Sequence, residues 1–174
     1  VDDEIGEATE TYTVELSNAS NASIADGTGL GTILDDEPAP QVSIDDVTVT
    51  EGVDANATFT ISLSQAADED TTVAVATSND SAVSGDDYST VTTTVIIPAG
   101  ATSITVDIPV VDDAVFEPTE TFNVSLTSLS GGNNATLADG LGIGTILDND
   151  TAPGLSVDDV TVTEGLSLIH ISEP

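Results

Sequence analysis

Residues 111–126, VDDAVFEPTETFNVSL, have a near copy at 1–16, VDDEIGEATETYTVEL, and in both an Asp-Asp pair is followed by glutamates four and seven residues after its second member. Two further pairs set the period. SIDDVTVTEG at 43–52 returns as SVDDVTVTEG at 156–165, and GTILDD at 31–36 returns as GTILDN at 144–149, each 113 residues later, against 110 for the first pair. The three-residue difference falls in one loop, where SNASNASIADG becomes TSLSGGNNATLADG. A constant period whose length change is confined to a Gly/Asn-rich loop marks tandem copies of one domain. The expected organisation is the end of one copy at 1–39, a complete copy at 40–150, and the first strand of a third at 151–165.

The last nine residues, 166–174 (LSLIHISEP), break the repeat where the second copy would predict a further strand. They read as a translated sequencing-library adapter and are left out of the fold reasoning. With them goes His170, the sole histidine, as a candidate ligand or base.

Within the complete copy, short segments alternate strictly between apolar and polar residues. Phe59, Ile61 and Leu63 alternate with Thr60, Ser62 and Ser64; Ile104, Val106, Ile108 and Val110 alternate with Thr105, Asp107 and Pro109; Phe122, Val124 and Leu126 do so with Asn123 and Ser125. Each puts one face in a core and the other in water, the pattern of an all-β sandwich. Seven antiparallel strands are predicted, at 42–50, 57–64, 72–77, 90–97, 103–111, 121–128 and 137–147. In the first, Val42 and Ile44 lie in one phase and Val47 and Val49 in the other, so a bulge is expected at Asp45 and Asp46. The glycine-rich stretches DGTGLG at 26–31 and DGLGIG at 139–144 lead into a strand with no helix behind it, which argues against a nucleotide loop. Tyr88, in GDDYST, is expected to pack and hold its loop.

With 32 Asp plus Glu and no Lys or Arg, the formal charge is −32, and no carboxylate can be neutralised by an internal Lys or Arg. Such a field repels nucleic acid and anionic membrane surfaces and leaves metal ions or basic partners as ligands. Disorder, the other consequence of high net charge, is opposed by the 39% apolar content and its alternation. Cysteine is absent, which removes disulfides and thiolate metal sites. No apolar run approaches the roughly 20 residues of a membrane-spanning helix, so no direct membrane insertion is expected of this segment. Acidic, Cys-free, Thr/Ser/Asn-rich repeats suggest an extracellular or cell-surface setting in a bacterium, compatible with a membrane-associated parent protein.

In a seven-stranded antiparallel sandwich, the connections after strands one, three and five, and the exit from strand seven, lie at one end. Those segments hold Glu51 and Asp54; Asp80, Asp86 and Asp87; Asp112, Asp113, Glu117 and Glu120; and Asp148 and Asp150, eleven of the unit's eighteen carboxylates. Asp45, Asp46, Asp68, Glu69, Asp70 and Asp139 fall toward the other end. Two like charges about 5 Å apart repel by roughly 1–3 kcal/mol, and several such pairs rival a domain's stability of about 5–15 kcal/mol. A divalent cation removes this cost. Calcium suits it best, since it takes roughly 6–8 oxygen ligands in flexible geometry, whereas magnesium keeps its water and wants a stricter octahedron.

At TEG (50–52), GDDYST (85–90), VDDAVFEPTETFNVSL (111–126) and GTILDND (144–150) the chain resembles the Calx-beta family, repeats of sodium/calcium exchangers and of many bacterial surface proteins. The resemblance implies an immunoglobulin-like sandwich with several calcium ions at the acidic end. It also implies the ligands Glu51, Asp87, Asp112, Asp113, Glu117, Glu120, Asp148 and Asp150. Asn149 stands where a third acid is often found, while the preceding copy has Asp35, Asp36 and Glu37, together with Asp2, Asp3, Glu7 and Glu10.

Without a His, Cys, Lys or Arg outside the terminal tail, triads, thiol nucleophiles, Schiff bases and guanidinium clamps are unavailable, so no enzymatic role is expected. Carboxylate pairs alone would suit a glycosidase, but its aromatic sugar platforms are missing. The expected role is a calcium-binding structural repeat whose partners are calcium ions and neighbouring repeats. Calcium would rigidify a rod of domains for adhesion or cell communication, the proline-rich joint EPAPQ at 37–41 being already short and stiff. The alternative is a calcium-sensing regulatory module of a membrane transporter.

Overall fold

A computed structural model describes residues 5 and 7–163. Eleven strands and no helix form among them: β1 (Glu10–Glu15), β2 (Thr28–Ile33), β3 (Gln41–Ile44), β4 (Val47–Thr50), β5 (Asn56–Leu63), β6 (Thr71–Asn79), β7 (Thr92–Ile97), β8 (Ser103–Pro109), β9 (Glu120–Gly131), β10 (Thr136–Leu137) and β11 (Leu141–Leu147). From β3 onward they build a sandwich, one sheet in the order β10-β3-β5-β8 and the other β4-β11-β9-β6-β7. The inward faces follow the alternation in the sequence. Ala57, Phe59, Ile61 and Leu63 of β5, Val106 and Ile108 of β8, Val73 and Val75 of β6 and Phe122, Val124 and Leu126 of β9 are buried together in one core. Phe122 lies at its centre, edge-on to Phe59 (centroids 6.0 Å apart, 71°) and stacked on Tyr88 (4.4 Å, 15°).

Tyr88 is buried, as a packing role requires, and its hydroxyl donates to Asn79 Oδ1 at 2.7 Å, tying the loop after β6 to the end of that strand. Gly142 and Gly144 of β11 also face inward: a Cβ at Gly142 would strike the Asp45 carbonyl oxygen and press on the Phe59 ring, and one at Gly144 would strike the Phe122 ring. The Gly-x-Gly of DGLGIG therefore makes room for the core aromatics.

The expectation of seven strands, all antiparallel, is corrected at both ends of the unit. The predicted first strand is two strands in different sheets: β3 pairs antiparallel with β5, and β4 pairs parallel with β11, Val47 opposite Gly144 and Thr50 opposite Leu147. The change of apolar phase at Asp45 and Asp46 is a crossing between sheets rather than a bulge. Each aspartate holds one side of the crossing: Asp45 Oδ1 accepts the N–H of Thr60 in β5 (2.6 Å), and Asp46 Oδ1 accepts that of Ile143 in β11 (2.7 Å). The predicted last strand is likewise divided into β10, parallel to β3, and β11. The bulge that does occur interrupts the β6–β9 register between Ala74 and Val75. These two parallel pairings leave the placement of the connections unchanged, because β4 and β11 end side by side.

Ahead of the sandwich, β1 and β2 form a separate antiparallel hairpin with Tyr12 opposite Gly31. Phe122 and Gly144 pair in the same way in β9 and β11. At the other end, residues 151–163 form no strand and are exposed throughout. An isolated segment has no partner for its N–H and C=O groups, so the strand expected there does not form alone. The tail at 166–174, with His170, lies outside the described residues, as do Asp2 and Asp3.

Candidate metal centre

Four chain segments converge where β4 and β11 end. The Glu51 N–H donates to Leu147 O (3.1 Å), which brings the TEG turn against the exit of β11. The Val111 N–H donates to Asp87 O (2.9 Å), which draws the segment leaving β8 onto the loop after β6. Glu120 opens β9, the neighbour of both β6 and β11.

Two carboxylate triads result. Glu51, Asp148 and Asp150 each offer an oxygen within 4.8 Å of the other two, and so do Asp87, Glu117 and Glu120. Asp112 lies beside the first triad, and Asp113 acts on members of both. Asn149 Nδ2 lies 3.5 Å from Asp112 Oδ1, and Asp113 raises the proton affinity of Glu51, Glu117 and Asp150. All eight residues carried over from the family resemblance are thus gathered at one end. Asp113 also closes its own turn, accepting the Val115 N–H at 2.7 Å. Of the other acids expected at this end, Asp86 adds to the field at Glu117. Asp54 and Asp80 are turned to local work: Asp54 Oδ2 accepts the Thr50 N–H (2.8 Å) and Asp80 Oδ2 the Thr121 hydroxyl (2.7 Å).

The electrostatics are those of acids crowded without counter-charge. Burial pushes Glu51 up from 4.5 to about 7, with help from a shared hydrogen bond with Asp148, against a smaller lowering by the Asn149 backbone. Burial likewise raises Glu120 to about 7, followed by its hydrogen bond and repulsion with Asp87. Glu117 and Asp150 move upward too, first by desolvation and then by repulsion from their neighbours. Neighbouring carboxylates repel unless a proton or a cation comes between them, so both triads favour taking up one or the other.

The donor set fits a hard cation. Glu51 is 4% exposed, and its Oε1, together with Asp150 Oδ2, is buried with no hydrogen-bond partner among the described residues. A buried, unpartnered carboxylate oxygen is costly unless something positive reaches it. Asp87 contributes by a different route: its Oδ2 accepts the Val83 N–H at 2.6 Å, which fixes the carboxylate's orientation while leaving the second oxygen for a ligand.

Sequence reasoning missed Gly52. Its φ of 66° is in the left-handed region, and a Cβ there would strike Asn149 Nδ2 and Asp112 Oδ1. The glycine of TEG therefore leaves the space in which the segments after β8 and β11 approach each other. The only signal in the sequence was its return at Gly165 in the second TEG.

The Calx-beta domain family matches residues 34–151, which span the whole sandwich and both triads. The chain belongs to the Calx-beta family. Its fold is similar to that of the apo-form Calx CBD1 domain, with 22% identity over 65% of this chain and 100% of that one (TM-score 0.59). It is also similar to CBD12 from CALX1.2, with 24% identity over 63% of this chain and 44% of that one (TM-score 0.58). A third likeness is to the calcium binding domain CBD12 of CALX1.1, with 24% identity over 71% and 54% (TM-score 0.57). The chain thus spans about half of each of the two CBD12 structures. No curated protein matches it in sequence.

Proposed function

We propose that the complete unit is a calcium-binding structural repeat, with Glu51, Asp148 and Asp150 holding one ion, Asp87, Glu117 and Glu120 a second, and Asp112 and Asp113 completing the cluster. The observation that carries this is the pair of buried carboxylate oxygens, on Glu51 and Asp150, left without a partner in a chain that has no Lys or Arg. Membership of the Calx-beta family supports it, as does the fold shared with a structure described as a calcium binding domain. Calcium satisfies the orphaned oxygens, relieves the repulsion and cross-links the four segments, so the sandwich and its exit toward residue 151 become one stiff body. In a tandem array the consequence is a rod, suited to adhesion or cell communication at a bacterial surface.

Calorimetric titration of calcium into the calcium-free chain, with thermal melts in EDTA and in calcium, tests the binding. At a calcium concentration a hundred times the dissociation constant, one site adds about 2.7 kcal/mol, and an unmoved melting temperature rejects the reading. Small-angle scattering tests the rod, which is refuted by equal maximum dimensions with and without chelator. The regulatory reading, a calcium-sensing module of a transporter, draws on the likeness to the Calx CBD domains. It predicts a shape change within the unit on calcium binding, beyond the stiffening of its exits.

A further inference from the structure

The segment joining the hairpin to the sandwich, Glu37-Pro38-Ala39-Pro40-Gln41, consists mainly of hydrogen-bond acceptors. Two of its five residues are prolines, so it presents five carbonyls and three amide protons. A surface that docks against it has to supply donors, and in a chain without Lys or Arg these are backbone N–H groups, hydroxyls or side-chain amides. The corner between β5 and β6 is built that way. Gln65 Nε2 donates to Pro38 O at 2.7 Å, and the Ser64 N–H donates to Gln41 O at 2.9 Å. The Ser64 hydroxyl oxygen accepts the Gln41 N–H at 2.9 Å. From β10, the Thr136 N–H donates to Pro40 O at 2.8 Å, and the Pro40 ring is fully buried beneath it. Glu37, whose counterpart 113 residues on is Asp150, lines one recess together with Ser64, Gln65, Ala66 and Thr102.

Most of these bonds seat the start of β3 in its own sheet. Gln65 differs, because its side chain reaches back past Gln41 to the residue that follows Glu37. We propose that the β5–β6 corner is a docking face for the acidic exit of the repeat that precedes it, and that Gln65 is the positioning residue that sets the angle between repeats when no calcium is bound. The proposal rests on reading the β1–β2 hairpin as the end of a preceding copy; it does not rest on calcium binding. A clamp on a backbone carbonyl is indifferent to the side chain there. At the next joint Thr151 takes the place of Pro38 and Pro153 that of Pro40, and the same acceptor is offered.

The absence of cysteine permits a clean spin-label test on the full chain. Nitroxides at Thr13→Cys in β1 and Thr94→Cys in β7, both exposed, report the hairpin against the sandwich by electron double resonance. In chelator, Gln65 should give one narrow distance distribution. Gln65→Ala, and Gln65→Glu, which keeps the size but removes the donor, should raise the undocked fraction about fivefold, the value of one neutral hydrogen bond. Melting of the sandwich should stay unchanged. As a second reading, the 15N heteronuclear NOE of Ala39 should fall in both variants. A Gln65→Ala distribution as narrow as the parent's, or a parent already broad in chelator, overturns the clamp. Adding calcium then judges stiffening by the ion separately: if calcium narrows neither variant, that reading fails while the clamp stands on the chelator data.

Discussion

Replacing Glu51 by glutamine should make the calcium-free protein more stable at pH 8 and the calcium-loaded protein less so. Glu51 is 4% exposed and its Oε1 is orphaned, so its ionised form is disfavoured in the folded state and its pKa lies at about 7 against an ordinary 4.5. The raised value fixes the sign. Below pH 4.5 folded and unfolded chains both carry the proton, and the favourable term is fully present. Between pH 4.5 and 7 the unfolded chain releases the proton while the folded one keeps it, so stability drains away as pH rises; above 7 the penalty is constant. At ~1.4 kcal/mol per pH unit the loss comes to about 3 kcal/mol. Glutamine is neutral at every pH and escapes it. Urea denaturation of the calcium-free protein at pH 5 and pH 8 is the assay. The parent should lose about 3 kcal/mol more than Glu51→Gln between the two, equivalent to roughly 10 °C in melting temperature for a domain of this size. Equal pH slopes for the two proteins, or a variant weaker than the parent at pH 8 without calcium, would refute the argument that this carboxylate is buried against its own charge.

Glu120→Gln should act in the same direction in the calcium-free state, since its pKa is also raised to about 7, and should lower the calorimetric calcium stoichiometry by one while binding at the Glu51 triad persists. Asp54→Ala should cost about 1 kcal/mol through loss of the bond to the Thr50 N–H and leave calcium affinity intact, separating turn-holding acids from the two triads. Gly144→Ala, whose new methyl would meet the Phe122 ring, should destabilise by about 1–3 kcal/mol in a thermal melt. Gly52→Ala should weaken calcium binding in calorimetry more than it lowers the melting temperature in chelator, because its Cβ intrudes between Asp112 and Asn149.

Period-2 alternation by itself fixed the sandwich class and the inward faces of β5, β8 and β9, since a strand with one wet face must bury every second residue. The repeated Asp-Asp and Glu offsets marked Asp112, Asp113, Glu117 and Glu120, the resemblance to the Calx-beta family added Glu51, Asp87, Asp148 and Asp150, and counting connections placed all eight at one end. That count survived a wrong strand number because it depends only on which ends are shared. What alternation could not show is pairing between strands distant in the chain. The phase change at Asp45–Asp46 reads equally as a bulge or as a change of sheet, and only the partners on β5 and β11 decided it. The tertiary structure also sorted the acids. Asp54 and Asp80 are carboxylates in the same segments as Glu51 and Asp87, yet they are spent on N–H and hydroxyl groups, while the acids of the triads gather on one another and leave buried oxygens of Glu51 and Asp150 uncompensated. Composition dictated that this chain must find its positive charge outside itself; the parallel seating of β4 against β11 decided where, by ending two remote strands side by side.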